Sequence, residues 1–322
     1  MQLDRTEIVI RQRSALELLD LSLLVLKRHF RPIVLSSLLL GLPLLLADVV
    51  VTAWVVGEDA QMAIEHVESP LVLLRWRHFA HLLVLYFVQF PLLSLPTTIL
   101  LGGLIFYQRL SMRELIGRLW PIAWRTLFVL GVFRMGLVAL VIEFFVDPTV
   151  AFDWKTELPL LVAIPILVLI MRSCWPLAPE IIGLEDCPLF PDKSKGKITT
   201  YRQRSRWLHG VLMADHVARF VLVGFYSTLL FLMLMGIQLF VAGVTFGHWQ
   251  WAAWCDHFAL PITLWSIGNL IAVFRFLSYL DSRIRLEGWE IELRMRAEAT
   301  RLAEPSRVTT GSSGKLTEQV VA

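Results

Sequence analysis

The sequence predicts an all-α integral membrane protein with six transmembrane helices, amphipathic cytoplasmic elbow helices and a C-terminal amphipathic helix. Three observations predict it. Of the 322 residues, 56% are hydrophobic and only 18% charged, and the mean hydropathy is +0.64, too apolar for a domain whose surface must be wetted. Six stretches are each long enough to cross a hydrocarbon core of about 30 Å, which takes roughly 20 helical residues. The segments between them alternate basic, acidic and basic again.

Residues 1–31 form an N-terminal cytoplasmic segment that carries Arg5, Arg11, Arg13, Lys27, Arg28 and Arg31. No small-residue cleavage site follows a short apolar core, so a removable signal peptide is not expected. Within it, Leu16, Leu19, Leu23, Leu26 and Phe30 share one helical face opposite Glu17, Asp20 and Lys27, the pattern of a helix lying in the headgroup plane.

The membrane domain, 32–280, holds spans expected at 33–56, 79–106, 126–146, 158–180, 217–246 and 258–280. Pro159, Pro165, Pro176 and Pro179 interrupt the fourth. Such a segment survives in lipid only where neighbours satisfy the carbonyls that the prolines free. Residues 107–125, with Arg109, Arg113, Arg118 and Arg125, and 181–216, with Lys193, Lys195, Lys197, Arg202, Arg204 and Arg206, face the cytoplasm by the positive-inside rule, as do both termini. Residues 57–78, with Glu58, Asp59, Glu65 and Glu68, and 147–157, with Asp147, Asp153 and Glu157, face outward. So does 247–257, where Trp249, Trp251 and Trp254 suit a membrane–water interface. On the cytoplasmic side Ser14, Ser111 and Ser205 each open an amphipathic stretch that leads into a two-span hairpin, and Arg-Gln-Arg-Ser occurs at both 11–14 and 202–205. A threefold repeat of elbow plus hairpin is one reading; unrelated charged linkers are the other. Residues 281–303 form the amphipathic charged helix, with Ile284, Ile291, Met295 and Leu302 on one stripe, and 304–322 form a disordered tail without apolar periodicity.

Three stretches carry a family resemblance: the N-terminal elbow from Arg13-Ser14 to His29-Phe30; Met171-Arg172 through Glu185 followed by Arg204-Ser205-Arg206-Trp207-Leu208-His209-Gly210; and the ending Phe274-Arg275-Phe276-Leu277-Ser278-Tyr279-Leu280-Asp281 through Leu293. Together they resemble bacterial six-helix proteins related to the membrane domain of glycerophosphodiester phosphodiesterase, in a planctomycete-type branch. The resemblance implies the fold and a bacterial inner-membrane location, and no established activity. The catalytic domain that some relatives append is not expected here.

Charged residues inside spans are functional candidates, because mid-membrane charge costs about 2.5–3.5 kcal/mol even on the mildest scales. Arg134, Arg172 and Arg275 fall at similar depth in the cytoplasmic halves of their spans. Either each snorkels to the interface, or they converge as an anion- or lipid-binding site with Glu180, Glu185 or Asp281 as counter-charges. Asp48 and Glu143, in the outer halves, are expected to be hydrated, and Gln89, Gln238 and Asn269 to make interhelical hydrogen bonds. His248, Cys255, Asp256 and His257 match no zinc spacing, and the three cysteines match no metal or redox motif. No nucleophile elbow, zinc-protease motif or phosphate loop occurs, so neither catalysis nor a cofactor is expected. The charge of +3 suits anionic headgroups rather than nucleic acid. The expected role is a non-enzymatic scaffold or accessory subunit for membrane lipids and a partner protein. The alternative is a small transporter or lipid-handling permease using the proline-broken fourth helix and the intramembrane arginines.

Overall fold

The computed structural model describes residues 11–66, 70–105, 110–146, 154–190, 199–247, 249 and 254–288, with side chains except at 53–76, 105, 256 and 257. Among these residues the chain is helical without strands. Five helices are long and apolar enough to cross a membrane, or six if one bent pair is a single span.

Helix α1 (Ala15–Arg28) starts where Ser14 and Glu17 cap each other's backbone N–H groups, at 3.3 Å in both directions, which satisfies donors the first turn cannot. It buries Leu18, Leu19, Ser22 and Val25 against the end of the last helix and leaves Leu16, Leu23 and Phe30 exposed. Helix α2 (Phe30–His66) follows at once and runs through the region expected as an outer loop from 57. Helices α3 (Pro70–Leu93) and α4 (Leu95–Ile105) form one span broken at Ser94, just before Pro96, whose missing N–H removes a helical bond.

Helix α5 (Met112–Thr126), capped by Ser111 and Glu114, continues through a π-helical stretch, Leu127–Phe133, and Met112–Phe133 is long and apolar enough to cross a membrane. Met135, at φ 62°, turns the chain into the short helix α6 (Gly136–Glu143). The segment expected as a span at 126–146 is thus divided between the π-helical stretch and α6, and the helix that enters it starts at Met112, after the cap at Ser111.

A π-helical turn, Pro159–Ala163, leads into α7 (Ile164–Cys174), and α8 (Ala178–Leu184) leaves it at 64°. The bend falls at Trp175–Leu177, among the prolines. Helix α9 (Tyr201–Gly210) is capped by Thr200 and Gln203, so Ser205, expected to open this stretch, lies inside it. Helices α10 (Met213–Phe246) and α11 (Leu260–Glu287) form the last pair, ended by Gly247 and Gly288 at positive φ, where a residue without Cβ is favoured. Helix α11 runs unbroken past 280 to Glu287, while the rest of the expected amphipathic helix and the tail lie outside the described residues.

We call the end of the bundle where α1 begins and α11 ends proximal, and the end where α10 meets α11 distal. Helix α11 is central, with 78% of its apolar window buried, whereas α10 has only 17% buried and is an outermost helix. Tight contacts fix the inner layer. A Cβ on Gly268 of α11 would sit 1.9 Å from the Tyr86 hydroxyl, and one on Gly183 of α8 would meet Leu95 and Ile99 at 3.0 and 3.2 Å.

A candidate anion site beneath α10

A cavity of ≈ 390 Å³ lies between α3, α10, α11 and the α7–α8 break. One face of α3 supplies Phe79, Leu83, Tyr86, Phe87 and Phe90 at helical spacing, and α10 supplies His216, Arg219, Phe220, Val223, Ser227 and Phe231. Arg134, Arg172 and Arg275 all line its proximal part. The three arginines predicted from sequence therefore do converge, and a fourth, Arg219, joins them.

Each is held by a feature of the local backbone. Pro179 has no N–H to offer the Trp175 carbonyl four residues back, and Arg134 Nη2 donates to that carbonyl instead. On the other side of the break, the Leu177 N–H donates to His209 Nε2 at 3.2 Å, while His209 Nδ1 sits 2.7 Å from the Ser205 carbonyl. These contacts fit a neutral ring with its proton on Nδ1. Burial pushes this histidine down to about 4, with His216 and Arg134 acting in the same direction. A freed carbonyl and a freed N–H of the proline-broken segment are thus met by side chains from two other segments.

Arg275 Nε donates to Glu180 Oε1 at 2.7 Å and its Nη2 to Ser94 Oγ at 2.7 Å, in the break between α3 and α4. Arg219 pairs with Asp281, and Arg285 lies 2.9 Å from the same carboxylate while also meeting Asp215 at 2.9 Å. Asp281 further accepts the Arg13 backbone N–H at 2.9 Å. Arg172 donates to the Val88 carbonyl at 3.1 Å and stacks 4.3 Å from the Phe87 ring centroid, a cation–π contact. Its buried Nε has no hydrogen-bond partner.

Of the expected counter-charges, Glu180 meets one of the three arginines, and Asp281 serves Arg219 rather than any of them. Glu185 does not reach the site. It binds Arg204 on α9, with Nη2 at 2.8 Å, and accepts from Tyr279 at 2.7 Å; Glu287 joins Arg204 at 2.6 Å and Arg283 at 2.7 Å. Four guanidinium groups therefore line the cavity, and only two of them, Arg275 and Arg219, are paired with carboxylates, Glu180 and Asp281, which stand outside its lining. Arg134 and Arg172 have no carboxylate salt-bridge partner among the described residues.

A second buried polar group lies toward the distal end. Arg77 Nη2 donates to Glu157 Oε1 at 2.6 Å, His81 Nδ1 lies 2.9 Å from Glu143 Oε2, and His81 Nε2 lies 3.6 Å from Glu157 Oε2. Further along α3, Gln89 donates to Asp48 Oδ1 at 2.7 Å. Asp48 and Glu143 are 1% and 0% exposed, which overturns the expected hydration: their span positions suggested a water boundary, but facing helices supply the partners. Thr263 links to Gln238 across α10 and α11 at 3.2 Å as expected, whereas Asn269 bonds within its own helix, to the Trp265 carbonyl. Cys255 is buried, His248 lies outside the described residues, and among the described residues no group of three or more potential metal ligands gathers.

Arg219 and His216 were missed because they lie at the edge of a span, where charge is unremarkable on hydropathy alone. The signal was their register with Val223, Ser227 and Phe231 on one helical face. No protein-family model, curated protein or solved structure matches the chain.

Proposed function

We propose that this protein binds an anionic lipid within the membrane and acts as a lipid-handling membrane protein rather than an enzyme. The observation that carries the reading is the pair of buried guanidinium groups, Arg134 and Arg172, with no matching carboxylate at the head of an apolar slot. Uncompensated buried charge is costly, and an anion that enters the slot offsets it. The slot has the polarity of a lipid. Arginines stand at one end, while Phe79, Phe231 and Leu264 line the other. From Ser278 to Leu264 along α11 is fourteen residues, about 21 Å at the helical rise, against about 15 Å for one leaflet of hydrocarbon.

In this reading the chain has six spans, counting α7 with α8 as one broken span. The proximal end is cytoplasmic, as the basic residues there favour, so the arginines meet the cytoplasmic leaflet of a bacterial inner membrane. Helices α1, α5 and α9 are the elbows, each started by a reciprocal cap, and the third span follows α5 through Leu127–Phe133 and α6. Kinship with the six-helix relatives of the phosphodiesterase membrane domain belongs to the same proposal. A protein partner would complete the scaffold reading, which shares the lipid contact but needs no internal slot.

The test is thermal. The full chain is placed in nanodiscs of neutral phosphatidylcholine with and without an anionic phospholipid, as wild type and as an Arg134→Gln/Arg172→Gln double variant. The anionic lipid is expected to raise the wild-type Tm by mass action and to leave the double variant unmoved. An equal rise in both would overturn the site.

A further inference from the structure

The charge inventory of the slot specifies the headgroup, on the assumption that the slot binds lipid. We infer that the preferred ligand is a lipid with a phosphate monoester headgroup, such as phosphatidic acid, rather than a phosphodiester or a zwitterionic lipid.

Three observations lead there. First, the unmatched charge is two, not one. Glu180 is engaged by Arg275 and Asp281 by Arg219 and Arg285, which leaves Arg134 and Arg172 without a salt-bridge partner among the described residues. A phosphate monoester carries about −1.5 to −2 near neutral pH, whereas a phosphodiester carries one charge. Second, the free donors suit a small, oxygen-rich head. Arg172 lines the slot, is 8% exposed, and has a buried Nε without a partner, so its guanidinium is short of acceptors in the folded chain. A guanidinium fork matches phosphate oxygens two at a time. Third, no carboxylate lines the slot to pair with an ammonium, and the rings nearest the arginines, Phe87 and Phe90, already face guanidinium groups. An ethanolamine or choline head would bring a cation beside two unmatched cations, a like-charge contact that costs specificity rather than adding it.

Arg275, paired with Glu180, shares the Phe90 ring with Arg172: the two guanidinium groups lie 5.4 and 5.7 Å from its centroid.

The experiment compares phosphatidic acid, phosphatidylglycerol and phosphatidylethanolamine of the same acyl composition, each titrated into phosphatidylcholine nanodiscs holding the full chain, with bound lipid counted by native mass spectrometry. Inorganic phosphate and glycerol 3-phosphate are run in parallel. Phosphatidic acid is expected to bind at least about tenfold more tightly than phosphatidylglycerol, the equivalent of about 1.4 kcal/mol, with phosphatidylethanolamine not retained. Arg172→Gln should bring phosphatidic acid down to the phosphatidylglycerol level without abolishing either, and Arg134→Gln should do the same, which keeps the test alive if one variant folds poorly. Equal binding of the two anionic lipids by wild type would overturn the monoester assignment while leaving anionic-lipid binding standing. Absence of any retained anionic lipid would instead overturn the lipid-handling reading itself. Retention of inorganic phosphate or glycerol 3-phosphate as strong as that of phosphatidic acid would overturn the lipid in favour of a water-soluble anion.

Discussion

The proximal slot and the distal cluster both bury charge against the same helix, α3, yet they treat it in opposite ways. In the distal cluster Arg77 has Glu157, and His81 stands between Glu143 and Glu157, so each cation meets a carboxylate in the folded chain. In the slot two guanidinium groups do without one. Matched buried charge holds helices in register; unmatched buried charge beside a cavity is poised for something from outside. The difference gives mutations of opposite sign, although every residue involved is a buried charge.

The largest effect is expected from Glu157→Gln, which breaks the Arg77–Glu157 ion pair and removes one of the carboxylates beside His81. Removing one partner of a buried pair costs about 3–5 kcal/mol, so the Tm in mild detergent should fall sharply with or without anionic lipid. A small, lipid-dependent fall would erase the contrast between the two regions.

Next comes acidity. His209 is neutral in the fold, with burial holding it near 4, against an ordinary value of about 6.5. As pH drops below about 6.5 the unfolded chain takes up the proton first. The stability contributed by this ring is therefore complete above about 6.5 and drains away between 6.5 and 4, by at most about 3 kcal/mol. His209→Gln should flatten the pH dependence of Tm over that window. An unchanged slope would remove His209 from its place as the clamp on the α7–α8 break.

Arg172→Met should act in the opposite sense to Glu157→Gln. Removing an unmatched guanidinium with an unpartnered Nε is expected to stabilise the protein in neutral detergent by about 1 kcal/mol, net of the lost stacking on Phe87. Destabilisation as large as that of Glu157→Gln would show that Arg172 is a structural pair in disguise. The smallest effect belongs to the elbow caps. Ser14→Ala and Thr200→Ala should each cost about 1 kcal/mol, and Thr200→Ala should also weaken anionic-lipid retention, since α9 carries His209 to Leu177, which lines the slot.

Depth within a span was readable from the sequence, and partners across spans were not. Arg134, Arg172 and Arg275 could be placed at one level by counting residues from the basic ends, and they do meet in one slot. Glu180 and Glu185 are five residues apart, yet one faces Arg275 and the other Arg204; that choice depends on how α8 leaves α7, which hydropathy does not encode. Asp48 and Glu143 failed for the complementary reason. Their position near a span end is compatible with water or with a facing helix, and only the packing of α2, α3 and α6 decides. The start of α5 had a local signal: the Ser111 and Glu114 cap is visible in the sequence, and a satisfied N-terminus starts a helix wherever it occurs. The same reasoning picks Thr200 with Gln203 over Ser205.

The 64° bend after Cys174 has a consequence for the bilayer. The straight part of this segment, Pro159–Cys174, reaches about 24 Å at the helical rise, short of a hydrocarbon core of about 30 Å. A segment that short draws the surrounding membrane thinner rather than leaving polar ends in oil. The thinning falls beside α10, where the slot lies, and lowers the local headgroup plane toward the depth of the arginines. Occupancy of the slot should therefore depend on the acyl length of the host bilayer as well as on the ligand's own head, with thinner membranes delivering phosphate to Arg134 and Arg172 more readily than thick ones.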